Sequence, residues 1–153
     1  MHSKPENLLR IGITLGDVTG VGPEVTLKAL AAGANSDAAQ YVLIGDAKTT
    51  RYWNSRLQTG LKLGEYGSSR FSILDSAPGS LPDNLQPGAP EAARAAVRWL
   101  GEAADLCLKH ELDAVVTAPV NKESIVRSGI PFVGQTEFFS ERAKADRTVM
   151  MLL

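Results

Sequence analysis

Residues 11–32, IGITLGDVTGVGPEVTLKALAA, decide the fold. Ile11 to Leu15 is a short run with β-branched residues that ends at Gly16, and Pro23 to Ala32 reads as a helix with proline in its first turn. Strand, glycine-rich loop and helix follow one another, and the pattern then recurs. Tyr41 to Gly45 (YVLIG) is a continuous apolar run of the kind buried on both faces of a parallel sheet, and Asp46 can cap the polar helix that continues to about Gln58. Phe71 to Leu74 is a weaker strand. The segment from Ser76 to Pro90, rich in Pro, Gly, Asn and Ser, reads as a long surface loop and the least ordered part of the chain.

From Glu91 to His110, Ala93, Val97, Leu100, Ala104 and Cys107 recur at spacings of three and four, which predicts a helix with one buried stripe. Asp113 to Ala118 (DAVVTA) is the next strand, Asn121 to Arg127 a short helix and Glu137 to Ala145 another. Thr148 to Leu153 (TVMMLL) reads as a last, buried strand that includes Met150 and Met151. Alternating strands and helices predict an α/β domain with a largely parallel sheet and right-handed crossovers, a single domain over residues 1–153.

Composition excludes several functions. Sixteen Lys and Arg against seventeen Asp and Glu give a net charge of −1, so no global field recruits nucleic acid or an anionic membrane. The longest apolar runs fall far short of the roughly 20 residues that cross a bilayer as a helix. One cysteine permits no internal disulfide, and the opening residues MHSKPENLLR lack the apolar stretch of a signal peptide, so the cytoplasm is the expected compartment. With His2 and His110 as the only histidines, a histidine-based metal site within the chain is not expected. Cys107 lies on the helical stripe and reads as an inert buried thiol; Trp53 and Trp99 read as packing residues.

Three loops can carry chemistry. Gly16 to Glu24 (GDVTGVGPE) joins the first strand to its helix, and its glycines permit positive φ and close approach to a ligand. It matches neither the GxGxxG fingerprint nor the P-loop, so a tight structural turn and a ligand loop both stay open. Asp17 repels an anion and suits a hydroxyl, an amine or a cation. In Thr117 to Lys122 (TAPVNK), Lys122 stands near a helix start, where the dipole disfavours a cation; its presence there fits a bound anion as well as a solvated surface lysine. In Gly134 to Glu137 (GQTE), Thr136 reads as the N-cap of the following helix, its hydroxyl partly free for a substrate oxygen, and Gln135 offers a donor and an acceptor without charge. The three loops are expected to converge at the carboxyl edge of the sheet, where open α/β folds bind ligands.

Taken in order, ITLGDVTGVGPE, DAVVTAPVNK and GIPFVGQTEFFSER followed by VMML resemble the 4-hydroxythreonine-4-phosphate dehydrogenase family. The resemblance spans nearly all of the chain but only the N-terminal half of the family pattern. It implies a three-layer α/β/α fold similar to isocitrate and isopropylmalate dehydrogenases, a homodimer, and oxidation of 4-phosphooxy-threonine with NAD or NADP on the route to pyridoxal phosphate. The ketone product then loses carbon dioxide, with a divalent metal (zinc, magnesium or cobalt) polarising the reacting oxygen. It further implies that Gln135 and Thr136 contact substrate, with Lys122 and Asp17 as helpers. Gln135 stands where the family has histidine, and Val18 where it usually has proline. The family's metal-binding histidines and most of its nicotinamide site fall beyond Leu153, so the chain alone is expected to be inactive. A non-catalytic remnant that binds a phosphorylated ligand, or a dehydrogenase for a phosphorylated sugar acid or a cyclic diol, are the alternatives.

Overall fold

The β-branched run after Arg10 forms an interior strand of the sheet, one in from its edge. The computed structural model describes residues 8–33 and 37–151. The elements are β1 (Arg10–Thr14), α1 (Gly22–Gly33), β2 (Gln40–Ile44), α2 (Ala47–Arg56), β3 (Leu63–Glu65), β4 (Phe71–Leu74), α3 (Pro90–Leu108), β5 (Ala114–Thr117), α4 (Lys122–Arg127) and α5 (Gln135–Ala143). The strands form one sheet in the order β3-β4-β2-β1-β5, and every neighbouring pair is parallel. β2 and β1 are interior, which is why Leu43, Ile44 and Leu15 are fully buried. Asp46 caps α2 as its position predicts, its carboxylate accepting the Thr49 amide at 2.6 Å.

β1 leads by α1 to β2 and β2 leads by α2 onward in the same direction, so α1 and α2 share a face and pack on each other. The chain then returns past β1 through α3, which lies on the opposite face. Two helical layers enclose the sheet, the α/β/α arrangement expected.

α3 buries two stripes where the spacing predicts one. Ala95, Trp99 and Ala103 join the core over the sheet, while Ala93 and Leu100 join Ile125 and Phe132, with Val97 and Phe138 packed alongside. The cause is a second helical pair: α4 and α5 sit on the outer side of α3. The many alanines of this helix leave room for close approach on both sides. Cys107 is half-buried against the sheet-side core, and burial pushes its thiol above the ordinary value, which disfavours the reactive thiolate.

One expected strand is overturned. Residues 148–151 form no strand, and Val149, Met150 and Met151 are 80%, 70% and 77% exposed; positions 152 and 153 lie outside the described residues. An apolar run becomes a strand only through a neighbour's hydrogen bonds, and none of the described strands pairs with this one. The segment after Ser76 is the surface loop expected, and side chains tie it down. Ser76 bonds Glu102, Arg98 bonds Ser80 at 3.3 Å, and Lys48 pairs with Asp83, so side chains of α2 and α3 hold it at several points.

α5 is tied to α3 by a two-pronged contact, Arg142 Nε and Nη2 donating to the Asp105 carboxylate at 2.8 and 2.5 Å. Arg142 beside it holds the Asp105 carboxyl below its ordinary range. Because the folded value is depressed, the pair's contribution is present above the unfolded carboxylate value and is lost as pH falls through the folded one. Both side chains are more than two-fifths exposed, so solvent screens the pair. Arg142→Ala is expected to lower unfolding stability by less than about 1 kcal/mol at neutral pH, and the difference should vanish in acid. Parallel urea titrations at pH 7 and pH 3 check this; a loss that persists in acid would mean that packing of the arginine stem dominates.

Candidate functional site

The direction of chain travel reverses at β1: one connection leaves toward β2, and the later one arrives at β5 on the other side. In an open α/β sheet the crevice outside the carboxyl ends at such a point is where ligands bind. The loops that leave β1 and β5 meet there. Asp17 donates its amide to the Pro119 carbonyl at 2.9 Å. Gly16 makes this contact possible, with φ +65° and no side chain; a Cβ there would stand 2.2 Å from the Pro119 oxygen. Gly16 alone of the loop's three glycines has positive φ.

Asp17 is buried, and its Oδ1 accepts both the Thr19 amide at 2.8 Å and the Thr19 hydroxyl at 2.7 Å. This two-residue reach is the Asx pattern, in which a carboxylate substitutes for a backbone acceptor and fixes the turn. The Thr19 oxygen in turn accepts the Gly88 amide at 3.1 Å, and the Gly88 carbonyl accepts Arg127 Nη2 at 3.2 Å. The backbone of Gly88 in the long loop thus ties the first loop to α4. Gly88 has φ +74°, and a Cβ would meet Ser124 Oγ at 2.8 Å. Sequence reasoning passed over Thr19, Gly88 and Arg127; the two-residue spacing from Asp17 and a glycine among Pro87, Ala89 and Pro90 were the available signals.

The third motif reaches the same place through Gln135, whose Nε2 donates to the Ala118 carbonyl at 3.3 Å. The expected N-cap, Thr136, is instead the second residue of α5. Extended Gly134 occupies the cap and offers no side-chain bond, so the helix begins two residues earlier than expected and Thr136 is exposed with its hydroxyl free of capping. Asn121 caps α4 through Ser124 at 3.0 Å, which places Lys122 first in that helix, exposed and without an ion-pair partner among the described residues. The structure therefore brings Asp17, Pro119, Ala118 and Gln135 into one connected cluster. Lys122 and Thr136 flank it at the surface without touching it.

Beside the cluster lies a cavity of about 270 Å³ bordered by Val18, Thr19, Lys48, Trp53 and Leu81, with the Lys48–Asp83 pair at its rim. It adjoins the first loop only. No group of three or more His, Cys, Asp or Glu side chains that could hold a metal ion occurs among the described residues.

Residues 30–153 match the family model described as pyridoxal phosphate biosynthetic protein PdxA. Among similar curated proteins, the 4-hydroxythreonine-4-phosphate dehydrogenase of Geobacter metallireducens is 35% identical over 97% of this chain and 46% of its own length. That of Burkholderia vietnamiensis is 35% identical over 94% and 43%. The crystal structure of the Burkholderia phymatum 4-hydroxythreonine-4-phosphate dehydrogenase superposes with a TM-score of 0.79 at 31% identity, over 93% of this chain and 46% of that one. A terephthalate 1,2-cis-dihydrodiol dehydrogenase from Burkholderia xenovorans superposes with a TM-score of 0.64 at 27% identity, over 82% and 38%. The chain spans about half the length of the curated relatives it matches. With its three loop motifs converging on one sheet edge and its sequence matched over most of its length, the chain belongs to the PdxA family of pyridoxal phosphate biosynthetic proteins.

Proposed function

We propose that this chain carries the substrate-facing half of a 4-hydroxythreonine-4-phosphate dehydrogenase, which oxidises 4-phosphooxy-threonine with NAD or NADP before the ketone loses carbon dioxide. The observation that supports it best is the Gln135 contact to Ala118, which holds that side chain beside the loop that leaves β5. Gln135 and Thr136 contact substrate, Lys122 offers a point charge to its phosphate, and Asp17 holds the first loop in shape. No cluster of metal-ligating side chains occurs among the described residues, so the metal and most of the nicotinamide site are assigned to the rest of a family-length protein. A homodimer in the cytoplasm completes the reading.

A second reading, a dehydrogenase for a cyclic diol, is favoured by one residue. Gln135 has no charge to offer a phosphate, and the Burkholderia xenovorans neighbour is named for a dihydrodiol. The test is a chimera in which this chain continues into the remaining part of the Geobacter metallireducens enzyme, assayed for reduced nicotinamide with 4-phosphooxy-threonine and with a cis-dihydrodiol. Turnover of the first alone is expected; turnover of the second alone would overturn the phosphate reading. The chain by itself is expected to turn over neither with any divalent metal added, and a metal-dependent rate from it would contradict the division of labour proposed.

In the same chimera, Gln135→His is expected to strengthen substrate binding at low pH by about 1.5–3 kcal/mol before desolvation. The bound dianion stabilises the imidazolium, so the histidine value rises on binding. The gain is then full below the free value of about 6.5 and fades as pH climbs through the bound one. Affinities measured from about pH 5.5 to 8.5 decide it. Superimposable profiles for the two proteins would take Gln135 away from the phosphate.

A further inference from the structure

The cavity of about 270 Å³ beside the first loop is built by parts of the chain far apart in sequence: the loop after β1, the start of α2 and the long loop before α3. Val18, Trp53, Leu81 and Leu85 make its apolar wall. Arg56 holds the aromatic side in place, lying over the Trp53 ring at 5.7 Å and donating to the Tyr52 hydroxyl at 3.1 Å. An apolar hollow with a few placed polar groups is the usual form of a small-molecule site.

The polar groups decide what fits. Lys48 carries the ammonium at the border, and it is paired with Asp83, which borders the same cavity. Two of the first amides of α2 are also taken, Ala47 by the Asp75 carboxylate at 2.9 Å and Thr49 by Asp46 at 2.6 Å. The helix start therefore has little left for an anion. Asp46 differs. It borders the cavity, is 5% exposed, and uses Oδ2 for the cap, while its Oδ1 accepts from no described residue. A buried carboxylate oxygen without a donor is costly, and a donor reaching it from the cavity removes that cost.

We infer that this cavity binds a small amine carried on one flat apolar ring, the ring against Trp53 and Leu81 and the amine donating to Asp46. A phosphorylated compound is repelled by Asp46 and Asp83, so the site is distinct from the substrate contacts proposed above and stands if that reading fails. Thr19 also borders the cavity and donates its hydroxyl to Asp17 at 2.7 Å, so an occupant bears on the residue that shapes the first loop.

Titration of the chain with benzylamine, followed through its amide and indole N–H resonances, tests the inference. Saturable shifts are expected at the Trp53 indole and at the Val18 and Thr19 amides. Benzyl alcohol has the same ring without the charge and should bind at least about tenfold more weakly, with benzoate weaker still. Asp46→Asn keeps a capping side chain for α2; it should weaken benzylamine at least about tenfold and leave benzyl alcohol within about threefold. Leu81→Trp, which fills the cavity, should abolish the shifts from both. Absence of saturable shifts at these residues would overturn the inference, as would equal losses of amine and alcohol in Asp46→Asn. Tighter binding of benzoate than of benzylamine would also overturn it, by making Lys48 the recognising group. If Asp46→Asn does not fold, Leu81→Trp decides: loss of the benzylamine shifts supports the site, and their persistence refutes it.

Discussion

Gly16→Ala is expected to lower unfolding stability by about 3 kcal/mol or more, combining a left-handed backbone with a forced contact. The new Cβ would meet the Pro119 oxygen at 2.2 Å and the Ala118 oxygen at 2.9 Å, both backbone atoms that cannot swing aside. The loops after β1 and β5 would have to separate, breaking the Asp17 amide bond to Pro119. Gly60→Ala provides the control. Gly60 has φ +72° but nothing within 4 Å of a Cβ, so only the left-handed penalty of about 1–2 kcal/mol applies. Urea titrations of the two variants separate these contributions, and equal losses would show that the contact at Gly16 relaxes at no cost.

Trp99→Ala is the other large effect, expected to cost about 3–5 kcal/mol. Trp99 is 1% exposed and sits between α3 and the sheet, in the same core cluster as Leu15, Leu27 and Leu43. Native domains have only about 5–15 kcal/mol of stability in all, so the variant should melt far earlier or fail to fold. Trp99→Phe discriminates packing from polarity. The indole N–H is buried without a hydrogen-bond partner among the described residues, so phenylalanine abandons no acceptor there and loses only volume. A much smaller loss than for alanine, followed by circular dichroism on heating, is the expected result. Near-equal losses would point to an acceptor for the indole.

What the sequence revealed about this fold depended on how local the cause was. β1, β2 and the Asp46 cap were legible because a β-branched run, an apolar run and a capping carboxylate act within a few residues of themselves. β3 was missed because Leu63-Gly64-Glu65 has no apolar pattern of its own and is a strand only through its pairing with β4. At residues 148–151 the strand reading failed for the converse reason, an apolar pattern that pairs with none of the described strands. α3 gave away one stripe and hid the other, since alanine is small enough to be buried or exposed and so marks neither face clearly. The meeting of the three loops followed from the geometry of parallel sheets. The links through Thr19 and Gly88 did not, because they join positions far apart in the chain by a hydroxyl and the backbone of one glycine.

Gly88 also sets where the chain can change length. Its N–H and its C=O are both engaged, toward Thr19 and toward Arg127, and a side chain would collide with Ser124. Residues 87–90 are therefore fixed in register with the start of α3 at Pro90. The earlier part of the segment, around Pro78 to Ser80, is held by side chains at the surface, with open space around Gly79. Insertions or deletions placed near Gly79 should leave the fold intact, whereas a single added residue between Gly88 and Pro90 would shift the peptide off both partners at once.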